Sequence, residues 1–97
     1  YGSKHQPRIV RINSQPVEIV PEGVLFIMTN KDRPGIVGYL GTLMGRHNVN
    51  IASMSLSRDI AGGHALTVLN LDSVPPAEVL EEIRKDPDIS NVRVVKL

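Results

Sequence analysis

Hydrophobic residues recur along the chain with spacings that change from one segment to the next. Residues 24–29 form a continuous apolar run rich in strand formers, and a polar cluster follows at residues 30–35. A short apolar run bounded by turn residues is typical of a buried strand. We therefore predict a strand over residues 24–29 and a turn after it.

The segment after this turn has the spacing of a helix. Ile36, Leu40 and Leu43 recur at intervals of three and four residues. Pro34 suits the first turn of a helix, because the N–H that proline lacks is not needed there. The pattern predicts a helix from residue 35 to about residue 46.

Strict alternation marks the next segment. Residues 51–58 alternate Ala52, Met54 and Leu56 with three serines, the period of a half-buried strand. A glycine-containing turn at residues 60–63 and a β-branched run over 64–72 complete a predicted hairpin.

The last third of the chain predicts a second helix and a final strand. Two prolines after Ser73, a candidate N-cap, open the helix, which ends near residue 85, and residues 89–97 form the strand. The order from residue 24 is strand, helix, strand, strand, helix, strand. We predict an α+β, ferredoxin-like βαββαβ domain, with two helices on one face of a four-stranded antiparallel sheet.

An additional β-hairpin is predicted before this domain. Two short β-branched runs, 8–12 and 16–20, flank residues with turn composition, and Pro21 and Gly23 then break the pattern. Because two strands alone are marginally stable, this hairpin should belong to a neighbouring sheet or pack on the domain that follows. The chain begins at Tyr1 without Met or a signal sequence, so we expect a piece of a longer polypeptide.

Composition narrows the class of protein. The chain has 97 residues, no cysteine and a net charge of +1, which indicate one small domain without disulfides or thiolate metal sites. No apolar run approaches the roughly 20 residues that span a bilayer. We expect a cytoplasmic protein with no membrane contact.

Several functions of the predicted fold are disfavoured by residue type. Nucleic-acid binding needs stacking aromatics, and the chain has only Tyr1, Phe26 and Tyr39. Metal carriers of this fold need cysteines. No histidine is aligned with a serine for nucleophilic catalysis. We predict no catalytic residues, no metal and no cofactor in this chain.

The polar segment at residues 30–35 carries the most chemistry. Free N–H groups at the start of the predicted helix suit a small carboxylate, and Asp32 would complement an ammonium group. The amide of Asn50 can both donate and accept hydrogen bonds. An amino acid offers both charges. The alternative is that Asp32 caps the helix and Asn50 merely ends a turn.

These residues resemble a known family. NKDRPGIV at 30–37, GTLMG at 41–45, NVNIA at 48–52, SRD at 57–59 and GGHA at 62–65 are similar to the ACT domain of D-3-phosphoglycerate dehydrogenases. The likeness covers residues 24–97 and implies an ACT domain at residues 23–97, and residues 1–22 resemble the hairpin tail of the intervening substrate-binding domain in long forms of that enzyme. The resemblance implies an allosteric module that binds L-serine in the first enzyme of phosphorylated serine biosynthesis, with NAD and catalysis elsewhere in the parent oxidoreductase.

The resemblance also implies a site and a partner. ACT domains of this family pair side by side, and the amino acid binds where the first loop of one copy meets the other. Carried onto this sequence, the ligand contacts are Asn30, Asp32, Pro34, Gly35, Ile36, Val37, Asn50 and Ile51. Asn30 stands where some members have histidine. A similar hairpin and ACT tail in iron–sulfur L-serine dehydratases, and a structural dimerisation module without ligand, remain alternatives.

Assembly is also expected on physical grounds. An open sheet has strand edges that can pair with another chain, and the apolar positions of its strands exceed what two short helices can cover. These positions are Ala52, Met54, Leu56, Leu66 and Val68. We predict a symmetric homodimer.

Overall fold

The computed structural model describes residues 8–12, 15–19, 22–32, 35–60 and 63–97. Its elements are β1 (Arg8–Ile12), β2 (Gln15–Ile19), β3 (Val24–Lys31), α1 (Ile36–Arg46), β4 (Ile51–Ile60), β5 (His64–Leu71), α2 (Ala77–Arg84) and β6 (Ile89–Lys96). Within these residues, β1 pairs with β2, and the other strands form an antiparallel sheet in the order β4-β5-β3-β6. The predicted βαββαβ domain and the hairpin before it are both confirmed.

The two helices cover one face of the larger sheet. Alternate residues of β3, including Phe26 and Met28, point to this face, where α1 contributes Leu40 and Leu43 and α2 contributes Val79 and Ile83 to the same core. This is the helical stripe predicted from spacing. Phe26 is fully buried here, so it cannot stack on a nucleic-acid base.

A hydrogen bond from the Tyr39 hydroxyl to the Glu82 carboxylate joins the outer surfaces of the two helices, at 3.4 Å. Burial, together with the neighbouring Glu82, raises the pKa of the Tyr39 hydroxyl above its usual value. The hydroxyl therefore keeps its proton and remains a hydrogen-bond donor at neutral pH.

The hairpin covers the opposite face of the sheet. Val17 and Ile19 of β2 join a second buried core with alternate residues of β3 and β5, namely Leu25, Ile27, Leu66 and Val68. Of the two placements predicted for the hairpin, the structure thus has the one on the following domain. The expectation that a second copy covers Leu66 and Val68 is therefore wrong, because both side chains are only 1% exposed within one chain.

Burial along β4 differs from the prediction. Met54 lies opposite Leu69 and therefore on the helix face, yet it is 48% exposed. Ser53 and Ser55 lie opposite residues of the hairpin face and are half-buried. The expected inward apolar face is wrong because the hairpin covers the serine side of this edge strand, while the helices leave the Met54 side partly open.

Backbone geometry explains how α1 ends. Asn48 has a left-handed φ of 58°, its N–H donates to the Gly45 carbonyl at 3.1 Å, and the Val49 N–H donates to the Met44 carbonyl at 2.9 Å. These two bonds form a Schellman motif, with Val49 buried against the helix. The chain is thereby turned from α1 into β4.

Three boundary predictions need correction. β4 continues to Ile60, which lies in the strand rather than in the predicted turn at residues 60–63. The N-cap of α2 is Pro76, so Ser73 is not the cap. β3 continues two residues beyond the predicted end, so Asn30 lies in the strand rather than in the turn. Gly23, before β3, has φ of 79°, and a Cβ there would lie 2.9 Å from the Leu71 carbonyl oxygen, so only glycine fits.

Candidate functional site

The candidate site is centred on the β3–α1 loop, residues 32–35. Gly35 is the N-cap of α1 and has φ of 88°, a left-handed conformation that favours glycine. Its carbonyl oxygen accepts a hydrogen bond from the Tyr39 N–H at 2.9 Å. Pro34, a predicted ligand contact, lies outside the described residues.

The N-terminus of α1 is electropositive. Within the described part of the chain, no side chain caps this helix and its first turn holds no acidic residue. The first N–H groups, including those of Ile36 and Val37, therefore keep the partial positive charge of a helix start. The alternative in which Asp32 caps the helix is wrong.

Asp32 instead forms an ion pair with a residue of β4. The Nε of Arg58 lies 3.4 Å from the Asp32 Oδ1, and the two side chains are 65% and 40% exposed. The Asp32 N–H donates to the Gly63 carbonyl at 3.0 Å, which ties the loop to the start of β5. The loop thus presents a carboxylate beside a guanidinium, both open to solvent.

Asn30 lies beneath this loop and is 1% exposed. Its Nδ2 donates to the Lys31 carbonyl at 2.9 Å, and its Oδ1 accepts from the Thr67 hydroxyl at 2.8 Å. Thr67 itself is fully buried. The pair fixes the orientation of the Asn30 amide at the end of β3.

Asn50 and Ile51 lie at the other end of the sheet. Asn50 precedes β4, whose first residue pairs with Leu71, and Leu71 in turn pairs with Val24 at the start of β3. At about 3.3 Å per residue, the eight residues of β3 separate them from Asp32 by roughly 25 Å. The Asn50 Nδ2 donates to the Asp72 Oδ2 at 2.7 Å. A single chain therefore does not bring Asn50 to the loop.

A cleft of about 320 Å³ lies beside Asn50, lined by Glu22, Gly23, Ala52, Asn70, Leu71 and Asp72. Asn70 is buried there, and its Oδ1 accepts from the Ser53 hydroxyl at 2.9 Å. The cleft lies at the end of the sheet that the β3–α1 loop does not reach.

Two residues of the site were not predicted from sequence. The SRD stretch at residues 57–59 carried no predicted role, although Arg58 contacts Asp32. Thr67 gave no signal at all, because threonine in a strand is ordinary. Among the described residues, no three His, Asp or Glu side chains are close enough to hold a metal ion.

The family model of the ACT domain matches residues 23–88. D-3-phosphoglycerate dehydrogenase of Methanocaldococcus jannaschii is 40% identical over 93 residues, which are 96% of this chain and 18% of that protein. The enzyme of the same name from Archaeoglobus fulgidus is 42% identical over 99 residues, 100% of this chain and 18% of that protein. D-3-phosphoglycerate dehydrogenase of Synechocystis sp. is 38% identical over 95 residues, which are 98% of this chain and 17% of that protein.

The chain belongs to the ACT domain family, and it spans about a fifth of the length of these relatives. The resemblance to the ACT region of D-3-phosphoglycerate dehydrogenases is confirmed. Neither helix in the described part of the chain is long and apolar enough to cross a membrane.

Proposed function

We propose that this domain is the L-serine-sensing regulatory module of a D-3-phosphoglycerate dehydrogenase. The observation that carries the proposal is the alignment of almost the whole chain, hairpin included, with enzymes of that name. The parent enzyme would hold NAD and the catalytic residues in other parts of the polypeptide, in the cytoplasm. Residues 1–22 would be the tail of its intervening domain, and residues 23–97 its ACT regulatory domain.

The chemistry of the β3–α1 loop supports an amino acid as ligand. The uncapped start of α1 suits the carboxylate, and the Asp32 carboxylate suits the ammonium group. In this proposal the N–H groups following Gly35, with Ile36 and Val37, form the carboxylate pocket. Asn30 supports the loop from below through its bond with Thr67.

The proposed site is completed by a second copy of the chain. Asn50 and Asp32 lie at opposite ends of the sheet, so both can contact one ligand only if they come from different copies. Antiparallel pairing of two β4 strands near their centres brings the start of one strand to the end of the other. Asn50 and Ile51 of one copy then approach Arg58 and Asp32 of its partner.

The two edges of the sheet differ in a way that favours β4 for this pairing. Residues 51–57 of β4 carry no charge, and Met54 is 48% exposed. The two bulges of β4 lie towards its ends, between Ile51 and Ser53 and between Ser57 and Ile60, and its charged residues lie beyond residue 57, so residues 53–57 form a regular, uncharged stretch. β6, at the other edge, carries Arg93 and Lys96, and its bulge lies next to Arg93 within the strand. Charges and bulges protect an edge against pairing, so β4 is the edge suited to a partner.

Feedback inhibition follows if serine binds the two states of the parent enzyme unequally. Allosteric coupling free energies are typically about 1 to 3 kcal/mol, and a ligand with equal affinity for both states shifts nothing. Serine held between two ACT domains would favour the paired arrangement and, through it, the less active state of the catalytic domains.

Isothermal titration of the 97-residue chain with L-serine tests the proposal, with D-serine as control. Binding should release or absorb heat and raise the melting temperature. By mass action, a hundredfold excess of serine over its dissociation constant stabilises the folded state by about 2.7 kcal/mol. No heat and no shift with millimolar L-serine would instead favour a structural dimerisation module. The iron–sulfur dehydratase alternative predicts serine turnover by the parent polypeptide, whereas the dehydrogenase predicts oxidation of 3-phosphoglycerate with NAD.

A further inference from the structure

The ligand contacts proposed above leave the ion pair between Asp32 and Arg58 without a role. The pair joins residues 26 positions apart in sequence, at the end of β3 and near the end of β4. Its atoms are 3.4 Å apart, and both side chains are accessible to solvent. Exposed pairs of this kind contribute little to folding stability, so a stabilising role does not account for it.

The charge presented at Asp32 changes when its ion-pair partner Arg58 is included. The Asp32 carboxylate alone carries one negative charge, which favours any small amine over a neutral zwitterion. Arg58 brings the pair to zero net charge and makes it a dipole. A dipole of this kind complements a molecule that carries an ammonium group and a carboxylate on the same carbon atom, as an α-amino acid does.

We propose that Arg58 is the carboxylate-binding, specificity-determining residue of this site. On binding, the ligand's ammonium group contacts Asp32, and its carboxylate lies between the N–H groups of α1 and the guanidinium of Arg58. One ion pair within the protein is exchanged for two between protein and ligand. The guanidinium donates several N–H groups from a planar fork that matches a carboxylate, a geometry that lysine lacks. This inference rests on the function proposed above.

Arg58 also lies on β4, the edge strand suited to a partner copy. Ligand binding at Arg58 therefore acts on the edge through which the two copies would pair. A ligand that lacks a carboxylate should occupy the Asp32 end of the site without engaging this edge.

Titration of wild type and Arg58→Gln with L-serine and with ethanolamine, which is serine without its carboxylate, tests the role of Arg58. Arg58→Gln should weaken serine binding about tenfold or more, the usual effect of losing a charged hydrogen bond. Ethanolamine should bind the variant at least as well as wild type, because its ammonium no longer competes with Arg58 for Asp32. Arg58→Lys should recover part of the serine affinity.

Arg93→Gln, which removes an exposed arginine from the opposite edge, is the matched control and should leave both affinities unchanged. If wild type binds serine and Arg58→Gln keeps the same preference for serine over ethanolamine, the role of Arg58 is refuted and the proposed function stands. If wild type binds no amino acid, both proposals are refuted together.

Discussion

Three polar side chains are buried among the described residues, and two of them, Asn30 and Thr67, lie under the β3–α1 loop. Burying an amide or a hydroxyl is unfavourable unless a hydrogen bond replaces the lost water. The Thr67 hydroxyl donates to the Asn30 Oδ1 at 2.8 Å and so compensates both groups at once. The end of β3, from which the loop starts, depends on this bond.

Thr67→Val should destabilise the fold by about 1 to 3 kcal/mol, because it preserves the shape of the side chain but leaves the Asn30 Oδ1 buried without its donor. Urea unfolding measures the change. Thr42→Val, on the exposed surface of α1, makes the same substitution without breaking a buried bond and should stay within about 0.5 kcal/mol of wild type. Equal effects of the two variants would refute the structural role of the Thr67 hydroxyl.

At this scale the sequence predicted residue types better than their partners. The need for glycine at residue 35 and the charge of Asp32 were recognisable from the turn composition of NKDRPG. The ion-pair partner of Asp32 was not recognisable from the sequence, because Arg58 comes near Asp32 only when β4 and β5 have folded as a hairpin. Asn30 was assigned to a turn, since nothing local shows that a polar residue is the continuation of a strand.

At the scale of elements, the hairpin of β1 and β2 is part of the folded domain. It covers Leu25, Ile27, Leu66 and Val68, which lie on the face of the sheet away from the helices. The ACT family match begins at residue 23 and therefore does not include the hairpin. A chain cut at the family boundary would expose that apolar face, and such surfaces promote aggregation.

Ile19→Ala should destabilise the chain by about 2 to 5 kcal/mol, the usual cost of truncating a buried isoleucine. Ile19 is 6% exposed in the core under the hairpin. Ile9→Ala makes the same change on the outer side of the hairpin, where Ile9 is 74% exposed, and should have almost no effect. If Ile19→Ala is as stable as Ile9→Ala in chemical unfolding, the hairpin does not contribute to the domain's stability.

The order and type of the elements were predictable because their hydrophobic periods are regular. The side of the sheet that the hairpin covers was not predictable from the sequence. A two-stranded ribbon with one apolar face can pack on any apolar surface, and its strands do not encode which surface that is. The same ambiguity explains the error on β4, where the serines, and not Met54, face the hairpin.

At the scale of the whole molecule, the proposed site depends on assembly, since Asp32 and Asn50 lie roughly 25 Å apart in one chain by the length of β3 at about 3.3 Å per residue. Pairing of two β4 edges should therefore control both mass and ligand binding. A two-fold axis near the middle of β4 places Met54 of both copies close together. A charge introduced there is repeated across the axis and repels its copy.

Met54→Lys should convert the proposed dimer to monomer at concentrations where wild type is dimeric, and analytical ultracentrifugation measures the mass directly. Val95→Lys is the matched control, because Val95 is 40% exposed on β6, at the other edge, against 48% for Met54. It should leave the mass unchanged. Met54→Lys should also abolish most of the serine-dependent rise in melting temperature, although Asp32 and Arg58 are intact, because Asn50 must come from the partner. If Val95→Lys dissociates the dimer and Met54→Lys does not, the copies pair through β6. If Met54→Lys is monomeric but binds serine fully, one chain holds the ligand without the partner's Asn50.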